Sequence, residues 1–259
     1  VAKADFQLCN DNSLKKGMSL TAVVPDSGAG PFPVLYLLGG LSDDHSTWTR
    51  MTSLQRYVEG LPLIVIMPNG ERGFYTDSPN RPNFAYETYL TKDIVGFVDR
   101  TFNTIKEPGG RALAGLSMGG YGAVKLALKY PQLFCAAASL SGALAFAHTN
   151  VGLDDDFERE FRHLVGENPV GGENDLFALA AAIPRGLRPP LFISCGTEDY
   201  LLDHNRGFDK HLTSIGYAHE YREHPGAHTW IYWNKHLVPA LEFLAKPLGL
   251  GEIDLSDKV

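Results

Sequence analysis

The chain has 259 residues, 44% of them hydrophobic and 20% charged, which is enough apolar side chain to bury a sizeable core and too much for a disordered segment. Lys and Arg number 23 against 30 Asp and Glu, so the net charge of −7 argues against a nucleic-acid partner, which would need a basic face to neutralise phosphates. The longest apolar runs, Pro33 to Leu38 and Leu61 to Pro68, fall far short of the ~20 apolar residues of a membrane helix, and no such span is expected.

Taken in chain order, Ser19 to Val24 and Val34 to Leu38 read as strands, the second running straight into Gly39-Gly40. Leu63 to Met67 is the next strand. Gly70 to Tyr86 follows it, with Phe74, Tyr75, Phe84 and Tyr86 among Gly, Pro and Asn, a composition suited to a loop that lines a site. Leu90, Ile94, Phe97, Val98 and Phe102 recur at helical spacing within Glu87 to Phe102. Ala112 to Gly115 is a short strand, Gly119 to Tyr130 a helix stopped by Pro131, and Cys135 to Leu140 another strand. Ala143 to Gly172 breaks the alternation and is expected to be an insertion or lid; its run Asp154-Asp155-Asp156 with Glu158 reads as a solvated helix N-terminus, where carboxylates favour the positive end of the dipole. The strand Leu191 to Cys195, a helix from Asn205 to Ser214, the strand His219 to Glu223 and a closing helix from Trp230 to Leu244 complete the series. Strands alternating with helices predict an α/β class fold: one domain over residues 1–259, built on a mostly parallel central sheet with helices on both faces.

The three cysteines, Cys9, Cys135 and Cys195, are odd in number, far apart and outside any CxxC pattern, so neither a disulfide framework nor a cysteine zinc site is expected. Cys135 and Cys195 lie in apolar strands and read as inert core residues. Val1 to Asp5 carries no apolar signal core but does not decide for or against export; the unpaired cysteines point to a reducing, cytoplasmic compartment, with a secreted form as the alternative. Self-association into a homo-oligomer is compatible with everything above.

The chemistry centres on Gly115-Leu116-Ser117-Met118-Gly119. G-x-S-x-G is weak evidence by itself, but here apolar Ala112 to Ala114 precede it and an Ala-rich helix follows. That is the strand–turn–helix context of a nucleophile elbow, in which the glycines leave room where strand and helix meet. A serine hydroxyl needs a base and an orienting carboxylate, and on this kind of sheet both come later in the chain, acid first. His228, in a Gly/Pro loop between the last strand and the last helix, is the preferred base over His224. After the strand ending at Cys195, Glu198-Asp199 presents two carboxylates; Asp199 is preferred and Glu198 is the alternative. Backbone N–H groups must meet the developing oxyanion. Met118, at the start of the helix, supplies one, and the Gly39-Gly40-Leu41-Ser42 loop the other, from Leu41 or its neighbour Gly40. His219, His224 and His228 form no HExxH pattern and no metal or cofactor is expected. Trp48, Trp230 and Trp233 read first as packing residues, with Trp230, two residues after the base, as the exception.

These segments resemble the esterase-D-type family of α/β-hydrolases, which groups short-chain carboxylesterases, acetyl and feruloyl esterases, S-formylglutathione hydrolases and mycolyltransferases. The matching stretches are Leu37 to Leu41 with Trp48, Gly73 to Asp77, Glu87 to Leu90, Gly115 to Ala123, Cys195 to Asp199, and Pro225 to His228 with Trp230. The resemblance implies an α/β-hydrolase fold, Ser117, Asp199 and His228 as the catalytic residues, Leu41 and Met118 as oxyanion donors, and a substrate pocket bordered by the Phe74 to Tyr86 loop. Gly40, Trp48, Tyr75, Tyr86 and Trp230 are the pocket candidates. Where S-formylglutathione hydrolases carry a His-Gly pair, this chain has Gly39-Gly40-Leu41-Ser42-Asp43-Asp44, closer to the small esterases and mycolyltransferases. The expectation is therefore a serine carboxylesterase acting on short-chain or carbohydrate-linked esters, with thioester hydrolysis or acyl transfer as the alternatives on the same machinery.

Overall fold

In the computed structural model, residues 1–10, 12–148, 155–166 and 168–258 are described, the side chains of 155–159 excepted. Among them one sheet holds β1 (Ala2–Cys9), β2 (Gly17–Val24), β3 (Val34–Leu38), β4 (Ile64–Pro68), β5 (Arg111–Leu116), β6 (Ala136–Leu140), β7 (Leu191–Gly196) and β8 (His219–His224). Their spatial order is β1-β2-β4-β3-β5-β6-β7-β8. The β1–β2 and β2–β4 pairs are antiparallel and all the others parallel. Every residue of β3, β4, β5, β6 and β7 is buried, as expected of parallel strands covered on both faces.

The strands divide their side chains between two cores. Val34, Tyr36, Leu38, Ile64, Ile66 and Leu113 face one layer, while Leu35, Leu37, Val65, Met67, Ala112 and Ala114 face the other. Short helices α1 (Thr47–Met51) and α2 (Leu54–Tyr57) contribute Trp48, Leu54 and Tyr57 to the second layer. The helix expected from Glu87 is continuous from α3 (Tyr86–Thr88) through a π-helical stretch, Tyr89–Ile94, into α4 (Val95–Thr101). With α5 (Met118–Lys129) it covers the first layer. Then come α6 (Asp155–Val165), α7 (Leu176–Ala182), α8 (Leu202–Ser214) and α9 (Trp230–Ala245). Phe208 and Leu212 of α8 join the first core and Trp233, Leu237 and Leu241 of α9 the second.

The expected alternation of strands and helices is borne out, with three additions. β1 was not expected, although Phe6 and Leu8 alternate with polar neighbours; it is an edge strand whose residues are all exposed or half-buried, so only half of it carries an apolar signal. Helices α1 and α2 are too short for periodicity to appear. The β6–β7 connection holds α7 as well as α6, beyond the stretch anticipated as an insertion. Of the acidic run, Asp154 lies outside the described residues, as do the side chains of Asp155, Asp156 and Glu158.

The chain leaves β3 to one side for β4 and returns to the other side for β5. That reversal of winding opens a crevice beyond the carboxyl ends of β3 and β5, where open α/β sheets place their ligands. The loop after β3 carries Leu41 and the turn after β5 carries Ser117.

Candidate active site

Ser117 sits between β5 and α5 with φ of 52° and ψ of −118°, a backbone conformation that L residues adopt only when their surroundings enforce it. The enforcement is visible. Its N–H donates to Leu140 O at 2.9 Å, and its carbonyl accepts from Tyr121 N at 3.1 Å and Ala143 N at 3.2 Å. A Cβ on Gly115 would lie 2.4 Å from the Gly119 backbone, and one on Gly119 would lie 2.4 Å from Leu38 O. Glycine at both positions therefore lets β5, α5 and β3 close on one another, which forces the serine side chain out of the turn.

The imidazole of His228 bridges the two other expected residues. Its Nε2 is 3.0 Å from Ser117 Oγ, and its Nδ1 is 3.0 and 2.9 Å from the two carboxylate oxygens of Asp199. Asp199 Oδ1 also accepts the Leu201 N–H at 2.8 Å. The Asp199 side chain is fully enclosed. Burial alone would raise its pKa, but the hydrogen bonds from His228, Leu201 and Ser141 and the charge of His228 hold it below the usual carboxylate range. Asp199 is thus a carboxylate at neutral pH.

The local sequence around Gly196 explains how a loop can bring His228 across. A Cβ on Gly196 would lie 2.0 Å from Gly226 O, so only glycine admits the histidine loop this closely to the end of β7. Glu198, the alternative acid, points elsewhere: its carboxylate accepts the Gly226 N–H and the Thr197 hydroxyl, and its own N–H donates to Gly226 O at 3.0 Å. It holds the loop rather than the imidazole. His224, the alternative base, stacks on His236 with ring centroids 4.5 Å apart at the end of β8, away from Ser117.

Above the crevice, Gly40 N–H donates to Asp43 Oδ2 at 2.8 Å, and Asp43 N–H returns to Gly40 O at 3.2 Å. The N–H groups of Leu41 and Met118 make no hydrogen bond among the described residues. For Met118 this follows from its place at the first turn of α5, whose N–H groups have no partner within the helix. A Cβ on Gly40 would lie 2.7 Å from Leu116 Cδ1 and 3.6 Å from Ser117 Cβ, which places this loop directly over the serine.

The expected pocket aromatics behave differently. Trp48 is 1% exposed and donates its indole N–H to Leu38 O at 3.1 Å. Tyr75 is fully buried, with its hydroxyl on Gly39 O at 3.1 Å and its ring against Gly122. Tyr86 is likewise buried against Gly73, its hydroxyl on Glu71 and 3.3 Å from Lys16 Nζ. These three are corrected from pocket lining to scaffold, because their polar tips find partners inside: Trp48 and Tyr75 brace the end of β3 and α5, and Tyr86 braces the segment around Glu71 and Gly73. Trp230 is half-buried and stands edge-to-face with Trp48 at 5.3 Å and Trp233 at 5.2 Å.

Three residues with a place in the site carried no local signal. Ser141, buried after β6 with φ of 49°, accepts the Trp233 indole N–H at 3.2 Å and helps hold the Asp199 pKa down. Trp233 in turn meets the His228 ring edge-on at 4.8 Å. Tyr200 packs on His228 with centroids 4.5 Å apart. Among the described residues, no group of three or more His, Cys, Asp and Glu side chains is arranged to hold a metal ion.

A strained serine at a strand-to-helix turn, over a mostly parallel sheet and within reach of a histidine–aspartate pair, defines a serine esterase of the α/β-hydrolase fold. The chain belongs to the family described as "Putative esterase", whose model matches residues 12–244. It is 28% identical over 253 residues to an acetyl esterase of Caldicellulosiruptor saccharolyticus, covering 90% of this chain and 94% of that one. It is 31% identical over 246 residues to the diacylglycerol acyltransferase/mycolyltransferase Ag85C of Mycobacterium avium, covering 82% and 69%. Among solved structures, the fluorophosphonate-binding serine hydrolase FphF of Staphylococcus aureus superposes with a TM-score of 0.82 at 28% identity, over 94% of this chain and 98% of that one.

Proposed function

We propose that the protein hydrolyses small carboxylic esters, acetyl esters foremost, through an acyl-enzyme on Ser117. The observation that carries this reading is the unbroken run of hydrogen bonds from Asp199 through His228 to Ser117 Oγ, at 2.9 and 3.0 Å. Ser117 Oγ attacks the ester carbonyl as His228 Nε2 takes its proton, while Asp199 fixes the tautomer that leaves Nε2 free to accept. The oxyanion rests on the N–H groups of Leu41 and Met118. Leu41 is favoured over Gly40 because the Gly40 N–H is already held by Asp43. His228 then gives the proton to the departing alcohol, and water activated by the same imidazole releases the acid.

Ser117→Ala tests the reading directly: p-nitrophenyl acetate hydrolysis should fall to background, and retention of turnover would overturn it. A panel of acetyl, butyryl, longer acyl, feruloyl and S-formylglutathione substrates then ranks the acyl groups. A second reading, transfer of the acyl group to an alcohol or sugar, draws on the likeness to the mycobacterial acyltransferase. It requires a new ester when such acceptors are added, where hydrolysis yields only free acid.

In this reading residues 1–259 are one catalytic unit. Within the 143–172 stretch, Glu160 of α6 pairs with Arg72, whose guanidinium also donates to Ser42 Oγ at 3.1 Å beside Leu41, which supports its reading as a lid. The unpaired Cys9, Cys135 and Cys195 support a reducing compartment, and no helix among the described residues is long and apolar enough to cross a membrane.

A further inference from the structure

His228 has two aromatic neighbours, and they differ in a way that bears on substrate choice. Trp233 meets the imidazole edge-on at 4.8 Å but is 5% exposed, with its indole N–H committed to Ser141. Tyr200 lies against the ring at 4.5 Å and a tilt of 47°, yet it is 51% exposed and so open to a ligand. It follows Asp199 directly, so the turn that supplies the acid also carries the phenol to the imidazole.

The chemistry of the triad says which half of a substrate that phenol would meet. The proton on His228 Nε2 must reach the departing oxygen, so the alcohol half of the ester has to pass beside Nε2. The carbonyl oxygen, by contrast, faces the N–H groups of Leu41, in the loop over Ser117, and of Met118, at the start of α5. We propose that Tyr200 is the leaving-group residue of this esterase: its phenol lies along the path of the departing alcohol and donates a hydrogen bond to that oxygen as the ester C–O bond breaks. The inference rests on the triad reading above. In the step concerned, the tetrahedral carbon expels the alkoxy oxygen, the carbonyl re-forms, and the proton held on His228 Nε2 goes to that oxygen. Tyr200 keeps its own proton throughout. Burial and the Asp199 charge push its pKa up, and the Ser117 hydroxyl opposes them only in part, so the phenol keeps its proton and is a donor at neutral pH.

Such assistance matters for an alcohol that leaves as a strong base and little for one that leaves as a stable anion. Tyr200→Phe retains the ring on His228 and removes only the hydroxyl. The ratio of kcat/KM for ethyl acetate to that for p-nitrophenyl acetate should drop about tenfold in this variant, the scale of one lost hydrogen bond. Active-site concentration is set by fluorophosphonate titration, and thermal unfolding of the variant checks that the fold is intact. An equal fall on both esters would reduce Tyr200 to support for the imidazole, and no change, or an equal rise, on both would remove it from the reaction; each result overturns the proposal. Failure of the triad reading is distinguishable, because Ser117→Ala would then retain turnover of both esters whatever Tyr200 does.

Discussion

The loop after β3 invites the most discriminating perturbation. Asp43 is half-buried, and its carboxylate takes the Gly40 N–H at 2.8 Å while its own N–H closes the turn on Gly40 O. In the proposed reading this small ring aims the next N–H, that of Leu41, at the oxyanion. Asp43→Ala removes a hydrogen bond to a charged acceptor, worth about 1.5–3 kcal/mol. The loop lies on the already paired Gly39 carbonyl and the Leu116 side chain, so it should loosen without unfolding. What is lost in the reaction is bounded by the value of one oxyanion donor, about 3–4 kcal/mol. A fall in kcat of roughly 10- to 150-fold is therefore expected, with KM changing far less because the carbonyl oxygen acquires its charge only in the transition state. Asp43→Asn retains an oxygen that can accept the same N–H and should recover most of the rate. Steady-state kinetics on p-nitrophenyl acetate, with circular dichroism to check the fold, make the comparison. If Asp43→Ala matched the wild type in kcat, or if Asp43→Asn were as impaired as Asp43→Ala, the loop would not owe its aim to this hydrogen bond.

Other consequences follow from neighbouring contacts. Asp199→Asn should lower kcat by about 10³–10⁴, because an amide can hold the imidazole in the wrong tautomer; Glu198→Gln, measured in the same assay, should stay within about fivefold, since its contact is to the Gly226 backbone. Ser141→Ala and Ser141→Gly should both reduce kcat and move the low-field proton NMR signal of the His228 Nδ1–H, although glycine suits the φ of 49° better; recovery in the glycine variant alone would point to backbone strain. Burial alone would raise the pKa of Glu87, yet ion pairs with Lys125 at 2.9 Å and Lys129 at 2.7 Å and a hydrogen bond from Tyr130 hold it down to about 2. With the folded value below the unfolded one, its stabilisation is complete above about pH 4.5 and is lost as pH falls towards 2, on the order of 3 kcal/mol. Urea unfolding of the wild type and Glu87→Gln at pH 7 and pH 3 should show a weaker acid dependence in the variant; identical dependence would show that other carboxylates govern it.

How far the sequence reveals this protein depends on whether a constraint is local. The central strands were legible because burial on both faces leaves continuous apolar runs, as in Val34–Leu38. Ser117 was legible because its turn demands glycine at two fixed offsets, a steric requirement written into adjacent residues. Asp199 and Glu198 illustrate the boundary. Both follow the same strand, and the choice between them is made by Gly226, 28 residues beyond Glu198, whose N–H claims the glutamate. The aromatic loop is the instructive miss. Phe74 and Tyr75 lie at φ of 47° and 49°, in a segment with no regular period, so alternation offers no guide to which side chains turn inward. Their composition resembled a binding loop because the requirements overlap: an aromatic ring with a hydroxyl suits a substrate wall, and equally suits a buried brace whose tip must reach a carbonyl, as Tyr75 reaches Gly39. What separates the two is the partner's location, and partners such as Gly39 for Tyr75, Leu38 for Trp48 and Trp233 for Ser141 are fixed only when the sheet brings distant segments together.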